Sequence, residues 1–486
     1  MRTTLKSITT EKENGRVYTP KFIVDNILDL CSYYGPEILK KHVIDNSCGD
    51  GAFLCEIVRR YCEAAIEANM SATDLKKDLE EYIHGIELEY TEIQKCQLNV
   101  SAVAETFGIK NVNWAFICGD SLKVHDYDGR MDYVLGNPPY VRVHNLGESF
   151  DDIKNFHFSK SGMTDLFIVF YELGIRMLND HGTLGYITPS SFYNSIAGAA
   201  MRKVFVNDNL LDQIVNLKHF QAFNATTYTT IVVLKKQRTK KTIDYYGYDG
   251  KNLIPYYIDT LTPEDFYIAG NFYFAKKEDL AILHKVFYNG GNCEIMVKNG
   301  YATLCDDVFI HDFNFDSEYI IPVIKASKGI KQRILFPYDK LGKLLPEAVL
   351  MRDKNLSSYL LANKEKLLKR SNDNDSSSHW YSFGRSQAIN DTYHYKIAIN
   401  SLLRDENDIK FTEAPEGVGV YSGLYILSGK IKYNEIEKAL KTREFSTYIE
   451  LLGKYKSGGY YTFSSKDLKK YMDYKFNYNG GLLNAE

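Results

Sequence analysis

A doubly wound, Rossmann-like α/β fold of about seven strands is expected for residues 1–240, followed by a mixed α+β domain over 241–486. Three observations predict it. Between Val17 and Leu234, short apolar stretches alternate with amphipathic ones at helical spacing. Four of the apolar stretches close on a carboxylate or an amide: Asp45, Glu87, Asp120 and Asn137. After the basic run 234–241 the alternation stops, and short strands, polar loops and a few helices mix without βαβ regularity.

The composition bounds the function. A chain of 486 residues has room for two or three domains with proper cores. Its 44% hydrophobic and 25% charged residues are those of an ordinary globular protein. The first residues carry no apolar signal region and no 18-residue apolar run occurs, so a soluble, cytoplasmic protein without a membrane partner is expected. The eight cysteines form no C-x-x-C pair and no histidine cluster joins them, so they read as reduced thiols and no metal site is expected. A net charge of −3 announces no polyanionic partner. The local basic runs 234–241, 325–333 and 364–370 read as solvated faces, with nucleic-acid contact as the alternative.

Strands are expected at 42–46, 82–88, 114–120, 131–137, 182–189, 211–217 and 229–236, and helices at 52–69, 90–107, 164–179 and 195–208. Ahead of them, Thr19 would cap a helix opened by Pro20, with Phe22, Ile23, Ile27 and Leu30 on its buried face. "HVIDNSCGDGAFLCEIVRRY" (42–61) reads as strand, glycine turn and helix. Gly49 and Gly51 let the backbone approach a ligand closely, and Asp45 can bind an amine or hydroxyl. The G-x-G-x-x-G of dinucleotide binders is absent. The pattern D-x-x-C-G-x-G suits S-adenosylmethionine better, because that cofactor has no phosphate to cradle; a purely structural turn is the alternative. Glu87 then ends the second strand where such folds grip ribose hydroxyls. Asp120 ends the third, where a carboxylate can accept from an adenine amine.

"DYVLGNPPYVRV" (132–143) places two prolines directly after a strand, which stops the ladder at its carboxyl end and holds Asn137 rigidly. Asn137 Oδ1 and the Pro138 carbonyl can both accept from one amino group while Tyr140 stacks on the ring that bears it. The amine nitrogen then presents a lone pair to an electrophilic methyl without a strong base. Such catalysis is mainly orientation.

In motif order, residues 15–236 resemble the γ-class N6-adenine DNA methyltransferases of bacterial restriction–modification systems. "GRVYTPKFIVDNIL" (15–28) looks like the family's N-terminal cofactor motif, and "DLFIVFYELGIRML" (165–178) like the helix packed on the cofactor adenine, with Phe170 as the stacking ring. "FQAFNATTYTTIVVLKK" (220–236) resembles the last catalytic motif, which puts Phe223, or Phe220 as the fallback, opposite Tyr140 across a flipped base. The resemblance implies catalytic roles for Asn137, Pro138, Tyr140 and Phe223. It implies a cofactor site of Thr19, Asp45, Ser47, Gly49, Gly51, Glu87, Asp120, Pro139 and Phe170. Residues 1–240 would be the catalytic domain and 241–486 a target-recognition domain on double-stranded DNA, with Arg385 reading guanine or gripping phosphate. A monomer at the nucleoid completes the expectation, either paired with a cognate restriction endonuclease of the same system or acting as a solitary methylase. Asn46 departs from the family, in which many members have proline after the acid. About 15 residues precede the first motif, so no N-terminal nuclease domain is expected.

Other readings share N-P-P-Y. Methyltransferases acting on protein glutamine or on RNA use it, and a catalytically dead fold could serve as a DNA specificity protein. The upstream cofactor motif and the large second domain stand against the first two, and the intact acids and Asn137 against the third.

Overall fold

The run Val43–Asp45 becomes an interior strand (β1), third in the order of a nine-stranded sheet. The structure, a computed structural model, describes residues 18–141, 153–223, 227–370 and 379–476. Residues 15–17 of the first motif, 224–226 of the last and the polar stretch 371–378 lie outside the described residues. The chain divides into two units, Met1–Leu280 and Ala281–Glu486.

In the first unit the strands are β1, β2 (Ile83–Glu87), β3 (Ala115–Cys118), β4 (Met131–Gly136), β5 (Leu178–Pro189), β6 (Leu211–Asn216), β7 (Thr229–Lys235), β8 (Ile243–Asp249) and β9 (Ile254–Leu261). They lie in the order β3-β2-β1-β4-β5-β7-β6-β8-β9. From β3 through β5 all neighbours are parallel, and β7 runs antiparallel to both β5 and β6. The strand order reverses between β1 and β4. In an open α/β sheet that switch opens a crevice at the carboxyl ends of the strands, where Asp45, Glu87 and Asn137 stand.

All seven expected strands form, and the sheet gains two more. The Tyr-rich segment after 240 alternates inward and outward, with Ile243 and Tyr245 buried, and pairs β8 onto β6 and β9 onto β8. The first unit therefore ends at Leu280 rather than at 240. A helix at Ala72–Tyr82 was also unanticipated; the Ser71 hydroxyl caps it by accepting from the Asp74 amide at 3.1 Å.

The helix α1 (Lys21–Leu30) buries Ile23, Val24, Ile27 and Leu28 completely, each worth about 1.5–3 kcal/mol. Phe22 and Leu30, expected on that face, are half-buried at its border. The helix α2 (Ala52–Glu67) holds α1 through Glu56, which binds Lys21 at 3.2 Å and Arg60 at 3.0 Å. Burial would raise the Glu56 carboxyl, but Arg59, Arg60 and Lys21 hold it down to about 2.

The second unit has a four-stranded sheet of Met296–Asn299, Leu424–Leu427, Lys396–Ile399 and Phe411–Ala414, and a three-stranded one of Ile330–Leu335, Ile320–Lys325 and Gly419–Tyr421. Trp380, Tyr381 and Phe383 of the "HWYSFGRSQAI" segment sit in its core. Among the described residues, no helix is long and apolar enough to cross a membrane and no His/Cys/Asp/Glu group could hold a metal. All eight cysteines are free thiols; Cys118 is exposed, Cys55 half-buried and the rest buried.

Candidate active site

The glycine turn after β1 is built from two positive-φ residues, Gly49 at +52° and Gly51 at +95°. Gly51 is fixed twice over: a Cβ there would also stand 2.9 Å from Cys96 Sγ on the helix Tyr90–Thr106. Gly49 differs, since its Cβ would meet nothing within 4 Å. Its amide donates to Glu87 Oε2 at 3.0 Å, so the acid of β2 braces the turn from the side. Leu88, the next residue, is 64% exposed. Asp120 is half-exposed, and its Oδ1 accepts from the Leu122 amide at 3.0 Å. An open backbone turn bordered by two carboxylates and an apolar side chain fits a nucleoside cofactor without phosphates. Leu88 escaped the sequence reading although an apolar residue just beyond a strand-ending acid was a usable signal.

Asp45 is only 2% exposed, and a Cβ on Gly136 of β4 would lie 2.6 Å from its Oδ1. Burial pushes its carboxyl up to about 8, against the lowering effect of the Ser47 amide, which donates to Oδ1 at 3.1 Å. Asn46, the family departure, is fully buried and satisfied: Tyr186 donates to its Oδ1 at 2.9 Å and Ser121 Oγ donates to its carbonyl at 2.6 Å. A proline would supply the shape of the turn but no acceptor for Tyr186.

β4 pairs with β5 up to Gly136 and stops where Pro138 and Pro139 have no amide to donate. Pro138 is buried, while Asn137, Pro139 and Tyr140 are half-buried. Ser47 Oγ donates to the Asn137 carbonyl at 3.3 Å, which joins the glycine turn to this loop. Asn137 Nδ2 donates to Thr19 Oγ1 at 3.1 Å. Thr19 is therefore no helix cap: Pro20 occupies the cap position without a side-chain bond, and the Thr19 oxygen is turned to Asn137 instead.

Tyr140 donates its hydroxyl to the Ile187 carbonyl at 3.1 Å, which fixes the ring. The Phe223 ring stands edge to face with it, 6.2 Å away at 77°. Two parallel rings around a base need about 7 Å, twice the optimal carbon contact. Phe220 lies elsewhere, against Phe22 at 6.2 Å and Tyr248 at 4.8 Å, over Gly250. Phe170 is 5% exposed on the inner face of the helix Leu166–Met177.

In the second unit Arg385 is exposed, and its amide bridges to the Ala302 carbonyl at 3.1 Å. Its guanidinium makes no ion pair among the described residues. Some members of the three basic runs are paired within the protein. Lys235 and Arg238 pair with Asp212, Arg333 with Asp316, and Lys366 with Asp307. Arg370 donates to the carbonyls of Leu367, Thr303, Trp380 and Ser382.

Residues 53–223 match the family described as Eco57I restriction-modification methylase. The Type II methyltransferase M.BstVI of Geobacillus stearothermophilus is 30% identical over 243 residues, covering 47% of this chain and 43% of that protein. The Type II restriction enzyme and methyltransferase RM.Eco57I of Escherichia coli is 23% identical over 482 residues, covering 77% of this chain and 47% of that protein. The chain thus spans less than half the length of these relatives. Among solved structures, the Type IIL restriction-modification enzyme MmeI in complex with DNA shares the fold at a TM-score of 0.60 and 12% identity, over 92% of this chain and 63% of that one.

Proposed function

This chain carries an Eco57I restriction-modification methylase domain over residues 53–223, and on that premise we propose that it methylates N6 of an adenine extruded from double-stranded DNA, using S-adenosylmethionine. The observation that carries the reading is the Ser47–Asn137 hydrogen bond, which joins the glycine turn after β1 to the N-P-P-Y loop. When bound, S-adenosylmethionine supplies an electrophilic methyl on a positively charged sulfur.

The chain's own residues do the rest. Glu87 accepts from a ribose diol, and Asp120 with Leu88 frames an adenine. Asp45, Gly49 and Gly51 shape the turn, and Pro139 and Phe170 border the site. Asn137 Oδ1 and the Pro138 carbonyl accept the two hydrogens of the target amine, which directs the nitrogen lone pair outward. Their oxygens also favour the positive charge that spreads in the transition state. A base within a duplex is out of reach, so it must be turned out. Tyr140 stacks on one face, and Phe223 swings from its edge-on position to cover the other.

The second unit grips double-stranded DNA, with Arg385, which makes no ion pair among the described residues, offering its cation to a guanine edge or a phosphate. The protein acts as a monomer at the nucleoid, alongside a cognate restriction endonuclease. Incubation with methyl-labelled S-adenosylmethionine and duplex DNA should place label on the DNA. Label found on RNA or protein glutamine, with none on DNA, would contradict the proposal.

A further inference from the structure

Met163 and Ile196 are large apolar side chains left 79% and 76% exposed, and they stand on loops that abut. A Cβ on Gly162 would lie 3.3 Å from Ile196 Cγ2 and 3.2 Å from the Ala197 amide nitrogen, so the two loops meet at that point. Both border the N-P-P-Y loop. The first leads into the helix Leu166–Met177, whose Leu166 amide donates at 2.8 Å to the carbonyl of Val141, the residue after Tyr140. The second follows Pro189 at the end of β5, and its Phe192 ring lies 6.5 Å from Phe167, which stands 6.4 Å from Tyr140.

The backbone of both loops is tied down. Arg202, 3% exposed, donates to the carbonyls of Phe192 at 2.6 Å, Ser195 at 2.8 Å and Gly270 at 2.8 Å. The Gly198 amide donates to Ser195 Oγ at 3.2 Å, and Thr164 Oγ1 donates to the Ser159 carbonyl at 3.3 Å. Residues 159–164 and 190–198 include no acidic side chain, while Lys160, Ser191 and Asn194 are exposed on them. Ammonium, hydroxyl and amide groups are those that meet phosphates.

A single exposed apolar side chain is ordinary. Two on abutting, fixed loops beside the site that receives a target base call for a partner. The make-up of these loops, apolar at two projecting points and without negative charge, complements a stack of bases between rows of phosphates. Turning a base out of a duplex costs pairing and stacking and leaves a gap. Isoleucine and methionine are among the side chains that proteins insert between base steps.

We propose that Ile196 and Met163 form an apolar wedge that enters the duplex at the target step and fills the gap left by the extruded base. The proposal rests on the reading that the target adenine is turned out of double-stranded DNA. It divides the work of extrusion: Tyr140 and Phe223 receive the base, and the wedge holds open the place it came from.

The test uses the full chain and its Ile196→Ala, Met163→Ala, doubly substituted and Ile196→Leu variants. The DNA is a duplex bearing the sequence at which the parent's own product is methylated, with 2-aminopurine at the target position for fluorescence and adenine there for rates. The double variant should lose about tenfold in kcat/KM and in affinity for that duplex, together with most of the fluorescence rise. Each alanine variant alone should lose about threefold, and these carry the test if the double variant does not fold. Affinity for S-adenosylmethionine should stay parental, and Ile196→Leu should keep the parent's rate and signal. Parental rate and fluorescence in the double variant, an equal loss on a duplex lacking the sequence, or a loss that lies in cofactor affinity would overturn the wedge while leaving DNA methylation by the parent intact. A parent that methylates the duplex with no fluorescence rise would overturn the extrusion on which the wedge rests.

Discussion

Glu87 accepts from the Gly49 amide through Oε2 and from the Glu89 amide through Oε1, both at 3.0 Å. The acid of β2 is therefore oriented by backbone on both sides, and each oxygen retains a lone pair for a ligand hydroxyl. Glu87→Ala should weaken S-adenosylmethionine binding by about 1.5–3 kcal/mol, the worth of charge-assisted hydrogen bonds, with a smaller effect on DNA affinity. Calorimetry on the folded variant checks this. Unchanged cofactor affinity would remove Glu87 from the site.

Asp45 makes the stability pH-dependent in a defined direction. Burial raises its carboxyl to about 8, so the folded state favours the neutral form. A group whose folded pKa lies above its unfolded value contributes stability that is complete below about pH 4 and lost as pH rises through about 8. The decline attributable to Asp45 is at most about 1.4 kcal/mol per pH unit. Asp45→Asn keeps an acceptor for the Ser47 amide and cannot ionise, so urea melts should show a flatter profile between about pH 4 and pH 8. A variant whose profile keeps the parent's slope would show that the carboxyl is already ionised in the fold.

The aromatic residues divide by environment. Tyr140→Ala and Phe223→Ala remove rings from the base site and should slow methylation about 10- to 100-fold, given about 1–3 kcal/mol per stacked base. Tyr140→Phe keeps the ring and loses only the bond to Ile187, so its rate should fall less than about tenfold. Phe220 packs on Phe22 and Tyr248, so Phe220→Ala should lower stability while leaving the rate of the folded fraction near that of the parent. Fluorescence of 2-aminopurine at the target position reports extrusion. A signal altered by Phe220→Ala and untouched by Phe223→Ala would reverse the assignment.

The parts legible in the sequence are those fixed by local chemistry. β1 and β2 end on Asp45 and Glu87, Asp120 and Asn137 follow β3 and β4 within two residues, and Pro138–Pro139 cannot extend a ladder, so this part of the carboxyl edge is legible residue by residue. What escaped depends on partners far along the chain. Asn46 looked anomalous until Tyr186, 140 residues on, supplied its hydrogen bond. Thr19-Pro20 has the local signature of a capped helix, and only the fold brings Asn137 within 3.1 Å of that hydroxyl. The alternation at 243–249 signals a strand but not its sheet, which is why β8 and β9 were assigned to the wrong side of the boundary.

The most direct test of the account is the product itself. Duplex DNA treated with the purified chain and S-adenosylmethionine, then hydrolysed to nucleosides, should contain N6-methyladenine by mass spectrometry. Asn137→Ala should abolish that product while binding cofactor and DNA with near-parental affinity, because the substitution removes an acceptor used at the reacting nitrogen. Methylcytosine as the sole product, or undiminished N6-methyladenine from Asn137→Ala, would contradict it.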